Sequence, residues 1–285
     1  MKVLLVFVFF IFCFGDCKII NKAENDITGA TFANSRLALF DNKNLFVKSN
    51  SMQDLFSFNN PNQTITSAKF IQNGVIVGFD NASVVLINSA KFSQELISPF
   101  KTKILEPILS LDFVKDKAIF LSKNHAIVYD FINRIYKSKM TNLNSKIIDS
   151  KIDENSVFIV CFDRNLYELN LGDFSINKIA NLPNLITKVE VLNNKPLVSM
   201  IDGKIWYENQ IYEISKNKIS AIKVGQNALY FGDSKSNLII SDLNFNVKKE
   251  INLKNDEIKE IFVDSSNLLV VMWNRAIYSC DLNQI

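Results

Sequence analysis

The sequence predicts an all-β protein, a seven-bladed β-propeller closed by pairing of an N-terminal strand with the last blade. Three observations carry that expectation. Seven segments share an isoleucine, four further residues and then Phe, Ile or Val. Successive isoleucines, at 27, 65, 108, 147, 186, 219 and 258, lie 38, 43, 39, 39, 33 and 39 residues apart. That spacing is close to the period of about 40–45 residues at which four-stranded blades repeat. Each segment is also followed by the same succession: an apolar run, a polar turn, a second run and a more polar fourth stretch.

The first segment of each unit, such as Ile65-Thr-Ser-Ala-Lys-Phe70 or Ile258-Lys-Glu-Ile-Phe-Val263, reads as the inner strand. The next run is the most apolar (37–40, 75–79, 118–121, 157–162, 197–200, 229–231 and 268–273), as a strand buried on both faces requires. Asp41-Asn-Lys-Asn44, Asp80-Asn81, Asp163-Arg-Asn165 and Asp202-Gly203 supply hairpin chemistry after it. A third strand and, in most units, a polar fourth one (134–139, 174–179, 247–251) complete the blade. The seventh unit offers three strands, 258–282, whereas residues 17–21 read as a strand ahead of the first unit. Pairing these two pieces supplies the missing strand and removes exposed sheet edges.

Residues 1–15 form a signal-peptide pattern: Lys2, an unbroken apolar run from Val3 to Phe14, then Gly15. The run is too short for a comfortable membrane span of about 20 residues. A cut after Gly15 leaves residues 16–285 as a single propeller domain without a stable membrane span; an uncleaved anchor and a merely apolar start are the alternatives. The expected destination is the secretory pathway, the endoplasmic reticulum lumen or the cell exterior. The formal net charge of +3 offers no strong pull toward nucleic acid. Alternating Lys and Asp/Glu read as solvated strand faces.

Of four cysteines, Cys13 falls in the signal and Cys161 in an apolar run, as a buried thiol. Cys17 and Cys280 fall on strands expected to be neighbours. A Cys17–Cys280 disulfide is therefore expected in an oxidising compartment, with two reduced strand cysteines as the alternative, decided by register. Asn62-Gln-Thr64 and Asn81-Ala-Ser83 match the N-glycan acceptor pattern. They fall in two loop types that emerge on one face of a propeller, which would put both sugars over one sector.

Chemistry is thinly represented. His125 is the single histidine and sits in a polar turn, so a catalytic triad or histidine metal site has no partners to draw on. No catalytic, cofactor or metal residue is assigned. Asp41, Asp80, Asp163 and Asp202 recur in hairpins, where turn chemistry accounts for them. Trp206 and Trp273 read as strand packing.

Asp130, Asp242 and Asp281 end the third strand of their units, where WD-repeat propellers carry a Trp-Asp pair. The chain resembles a divergent member of that family, with Tyr129, Ser241 and Cys280 in place of the tryptophan and without its Gly-His pair. The resemblance implies a rigid, non-enzymatic, monomeric platform for other proteins, a lumenal or secreted interaction scaffold. An alternative is a divergent propeller-type guanine nucleotide exchange factor acting in ER-to-Golgi vesicle coat assembly; that family's membrane anchor follows the propeller, and no such run follows here. A hydrolase or lectin using the turn aspartates is a third option.

Overall fold

The computed structural model describes residues 17–282, apart from 25, 50, 73, 89–93, 98–105, 144 and 265. The expected signal segment, residues 1–15, lies outside the described residues.

The described residues form seven four-stranded antiparallel sheets. Six are consecutive meanders, at 29–59, 65–97, 110–140, 147–181, 186–213 and 219–252. The seventh combines three strands between 258 and 281 with Cys17–Lys22, which takes the outermost position. The seven-bladed propeller and its closure by the N-terminal strand are as the repeat predicts.

A blade has two faces and only its neighbours can cover them. The second strands show this most plainly: Gly74–Phe79 and Ser156–Cys161 are buried at every position. The core accordingly divides into seven apolar clusters, each shared by two adjacent blades. All seven repeat isoleucines are buried, and each belongs to the cluster shared with the preceding blade. Ile108 and Ile258 lie so close over Gly78 and Gly232 of the preceding blade that a Cβ on either glycine would overlap the isoleucine side chain. A bulge follows the anchor in five blades, at Ile65/Ser67, Ile147/Asp149, Ile186/Lys188, Ile219/Ala221 and Ile258/Glu260. It turns the rest of the inner strand along the central channel.

The hairpins after the second strand reach the left-handed region at Ala82, Arg164, Gly203, Ser236 and Arg275. The turn chemistry points to Asn, Asp or Gly there, and Gly203 meets it, with Ser215 O close enough to forbid a Cβ; in blades two, four and seven the Asn or Asp instead occupies the preceding position. The outer strands are the exposed ones, and charged side chains such as Lys137, Lys139, Lys248 and Lys249 stud them, which discourages edge-to-edge pairing.

Cys17 pairs directly with Cys280, and the two form a disulfide across a sequence separation of 263 residues. Register, the deciding variable, favours the bond. Cys161 is buried and free, its thiol raised to about 12 by burial with Asp163 adding to the effect. In the chain-entropy description, closing so long a loop stabilises the ring by about 5.5 kcal/mol. Denaturant unfolding with and without reductant measures it. Reductant should lower the stability of the wild-type protein by that order and leave Cys280→Ser unchanged; equal sensitivity of the two proteins would contradict a structural disulfide.

Candidate functional site

The inner strands line a channel with a cavity of about 370 Å³. The residue four positions after each repeat isoleucine faces it: Thr31, Lys69, Asp112, Lys151, Glu190, Lys223 and Phe262. Five of these seven are charged and alternate in sign around blades two to six. Lys69 pairs with Asp112 at 2.8 Å, Lys151 with Glu190 at 3.0 Å, and Lys223 approaches Glu190 at 3.9 Å. A second tier, two positions after the anchor, adds Asp149 and a Lys188–Glu260 pair at 2.9 Å. Charges buried this way are costly unless paired and hydrogen-bonded. Here the carboxylates also accept backbone donors from the next blade: Asp112 from Ile152 N–H at 3.0 Å and Asp149 from Val189 N–H at 3.1 Å. These lysines and acids are not the solvated strand faces that their alternation suggests.

The titration of these groups follows from their partners. Burial pushes the Asp112 carboxyl up, but Lys69, Lys151 and the Ile152 amide together hold it below the usual range. For Glu190, burial is likewise outweighed by Lys151 and Lys223. Lys151 is raised, because Glu190 and Asp112 overcome the desolvation that would lower it. Burial prevails at Asp149, which is raised despite Lys188, and at Lys223, which is lowered despite Glu190. The channel is thus a mutually neutralised network that ties blades to one another.

At the face where the inner strands begin, the channel opens into a cavity of about 460 Å³. Phe162, Ile201 and Trp273 stand around it, 61%, 45% and 47% exposed. All three occupy one structural position, immediately after the second strand, where the backbone N–H bonds a carbonyl of the preceding inter-blade loop: Lys146, Leu185 and Glu257 respectively. Asp80 and Ser234 hold that position in blades two and six, bonding the Thr64 and Lys218 carbonyls; in blades one and three the residues after the second strand, Asp41 and Ser122, bond the Asn44 and His125 carbonyls within the hairpin instead. An apolar arc therefore runs over blades four to seven, interrupted at blade six by Ser234, and polar side chains follow the second strand in blades one to three. Phe162 and Trp273 belong to turns, not to the strands the sequence suggests for them; Trp206 is buried as expected. Lys259 Nζ sits 3.5 Å over the Trp273 ring and donates to Ile27 O at 2.9 Å.

The sequon residues lie across the mouth from this arc. Asn62 is exposed in the loop between blades one and two, and Asn81 is half-buried in the hairpin of blade two. The two loops are knitted together through Thr64 N–H to Asp80 at 3.1 Å and Ser83 Oγ to Gln63 Oε1 at 2.9 Å. His125 starts the third strand of blade three, half-buried 3.4 Å from Glu106, rather than standing free in a turn. Burial raises the Glu106 carboxyl, yet donors from Ser122, Asn124 and His125 bring it down to about 2. The hairpin aspartates are engaged in the turns: Asp41 accepts Lys43 and Asn44 N–H, and Asp163 and Asp202 accept the Asn165 and Asn184 side-chain amides. Asp130 and Asp242 fold the turn to the outer strand by accepting the N–H of Asn133 and Asn246. Among the described residues no group of three or more His, Cys, Asp or Glu is placed to hold a metal ion, and no helix is long and apolar enough to cross a membrane.

No family model and no curated protein matches the chain. By structure, 1411 solved chains match, too many for the architecture to select a function. One is a crystal structure of the computationally designed Ika8 protein, with a TM-score of 0.69 at 12% identity over 92% of this chain and 98% of that one. The likeness is one of fold.

Two substitutions in the channel should act in opposite directions. Glu190→Gln leaves Lys151 and Lys223 without their counter-charge and should cost about 3 kcal/mol at pH 7. The folded Asp149 carboxyl holds its proton more tightly than the unfolded one, so its contribution to stability is lost as pH rises through the folded value. Asp149→Asn keeps an acceptor for Val189 N–H and removes that loss, so stability at pH 7 should be equal or higher. Denaturant midpoints read both; a loss for Asp149→Asn matching that of Glu190→Gln would refute the assignment of burial as the stronger influence.

Proposed function

We propose that this protein is a non-enzymatic protein-interaction scaffold of the secretory pathway, matured by removal of residues 1–15 and glycosylated at Asn62 and Asn81. The observation that carries the reading is the apolar arc of Phe162, Ile201 and Trp273 around the channel mouth. Large apolar side chains gathered on an exposed surface are a mark of docking sites, and aromatic anchors contribute most there. The acceptor asparagines lie in the opposite sector of that face, so sugars on them leave the arc open. The Cys17–Cys280 bond suits an oxidising compartment, in agreement with the N-terminal pattern.

Two measurements test this. Peptide mapping without reduction, on protein from a eukaryotic secretory host, should find an N-terminus near Asp16, a linked Cys17–Cys280 peptide and glycan at Asn62 or Asn81. An intact Met1 with free thiols and bare asparagines would overturn the secretory reading and favour the cytosol-facing exchange-factor alternative. Cross-linking in the same host compares the wild-type chain with a Phe162→Ser/Ile201→Ser/Trp273→Ser variant. The variant should lose the cross-linked partner with little change in melting; retention of the partner would remove the arc from consideration.

A further inference from the structure

We infer that the channel-mouth cavity binds an acidic peptide segment in which an aspartate or glutamate is flanked by bulky apolar residues. This rests on the interaction reading above and specifies the chemistry of the partner. Charge complementarity argues for it. Five charged side chains line the cavity: Lys188, Lys218, Glu257, Lys259 and Glu260. Lys188 pairs with Glu260 at 2.9 Å and Lys218 with Glu257 at 2.6 Å. Lys259 is left over; among the described residues its contacts are a carbonyl oxygen and an aromatic face, with no carboxylate. The lining therefore carries one surplus positive charge, half-buried, beside an exposed indole and between apolar walls from Phe162 and Ile201.

A carboxylate brought to Lys259 gains a charge-assisted hydrogen bond in a partly desolvated place, where such bonds are strong. Its apolar neighbours meet Phe162, Ile201 and Trp273. A basic segment would face the surplus charge, and a purely apolar one would desolvate Lys259 without compensating it. Burial lowers the Lys259 amine to about 8, with Glu260 and Glu257 opposing and Lys188 adding to the shift. The recognised form is the protonated amine, so affinity for the acidic peptide should fall as pH rises past about 8.

The probe is a random dodecapeptide phage library selected on the disulfide-intact protein, followed by titration of a winning synthetic peptide. Of the two tryptophans, Trp206 is buried, so fluorescence change on binding reports Trp273. Winners should carry Asp or Glu within two residues of Phe, Leu, Ile or Met. Lys259→Met, and replacement of the peptide's acid by its amide, should each weaken binding about tenfold; Lys259→Arg should retain it. Winners without an acid that are still lost on the Phe162→Ser/Ile201→Ser/Trp273→Ser variant would keep the interaction face and overturn the acidic ligand. Enrichment no better than on that variant would overturn both.

Discussion

A blade of this propeller has no way to bury its own faces, and every other feature follows from that constraint. The seven apolar clusters are all interfaces between neighbours, and the repeat isoleucines are the residues that seat each blade on the one before it. An open ring would leave two faces and an outer strand position unsatisfied at the join between blades seven and one. Cys17–Lys22 fills that position, and the disulfide fixes it. The apolar cluster at this join is built on Ile27, Leu37, Leu39, Val271 and Ile277, whereas Cys17 and Cys280 pack in the cluster that blade seven shares with blade six.

The inner strands carry the second consequence of the ring. Their channel-facing positions cannot pack against another sheet, and charged side chains pair there across blade boundaries. Lys69–Asp112, Lys151–Glu190 and Lys188–Glu260 spend their charge on one another. At the mouth this compensation is incomplete: Lys218 pairs with Glu257, but Lys259 is turned toward Trp273 and a carbonyl, and the apolar arc begins. The same inner strands thus present a neutralised interior and a charged, apolar-rimmed opening.

Much of the fold was legible because a blade repeats its chemistry at a fixed period. The isoleucine anchor, the apolar second strand and the Cys17–Cys280 proximity all follow from counting along the chain. The site was harder to see, since it lies in departures from the repeat. The position after the second strand is Asp or Ser in four blades and Phe162, Ile201 or Trp273 in the other three. Aligning the units at that position would have exposed the arc; reading each run separately absorbs Phe162 and Trp273 into strands. The channel charges were missed for a related reason. An alternating Lys/Asp pattern looks solvated on any ordinary strand, and only the closed ring turns that face inward, where Asp112 and Glu190 are buried. His125 reads as a turn residue because its partner Glu106 is remote in the repeat pattern and reaches it through an inter-blade connection.

The most direct test of the central claim, that the N-terminal strand closes the ring, is amide hydrogen exchange on the native protein. Amides of Cys17–Lys22 that bond to Ala276–Asp281 should exchange with the protection of the last blade itself, as one cooperative unit. Exchange of residues 17–22 at the rate of a free peptide, with the last blade protected without them, would contradict the closure and the account built on it.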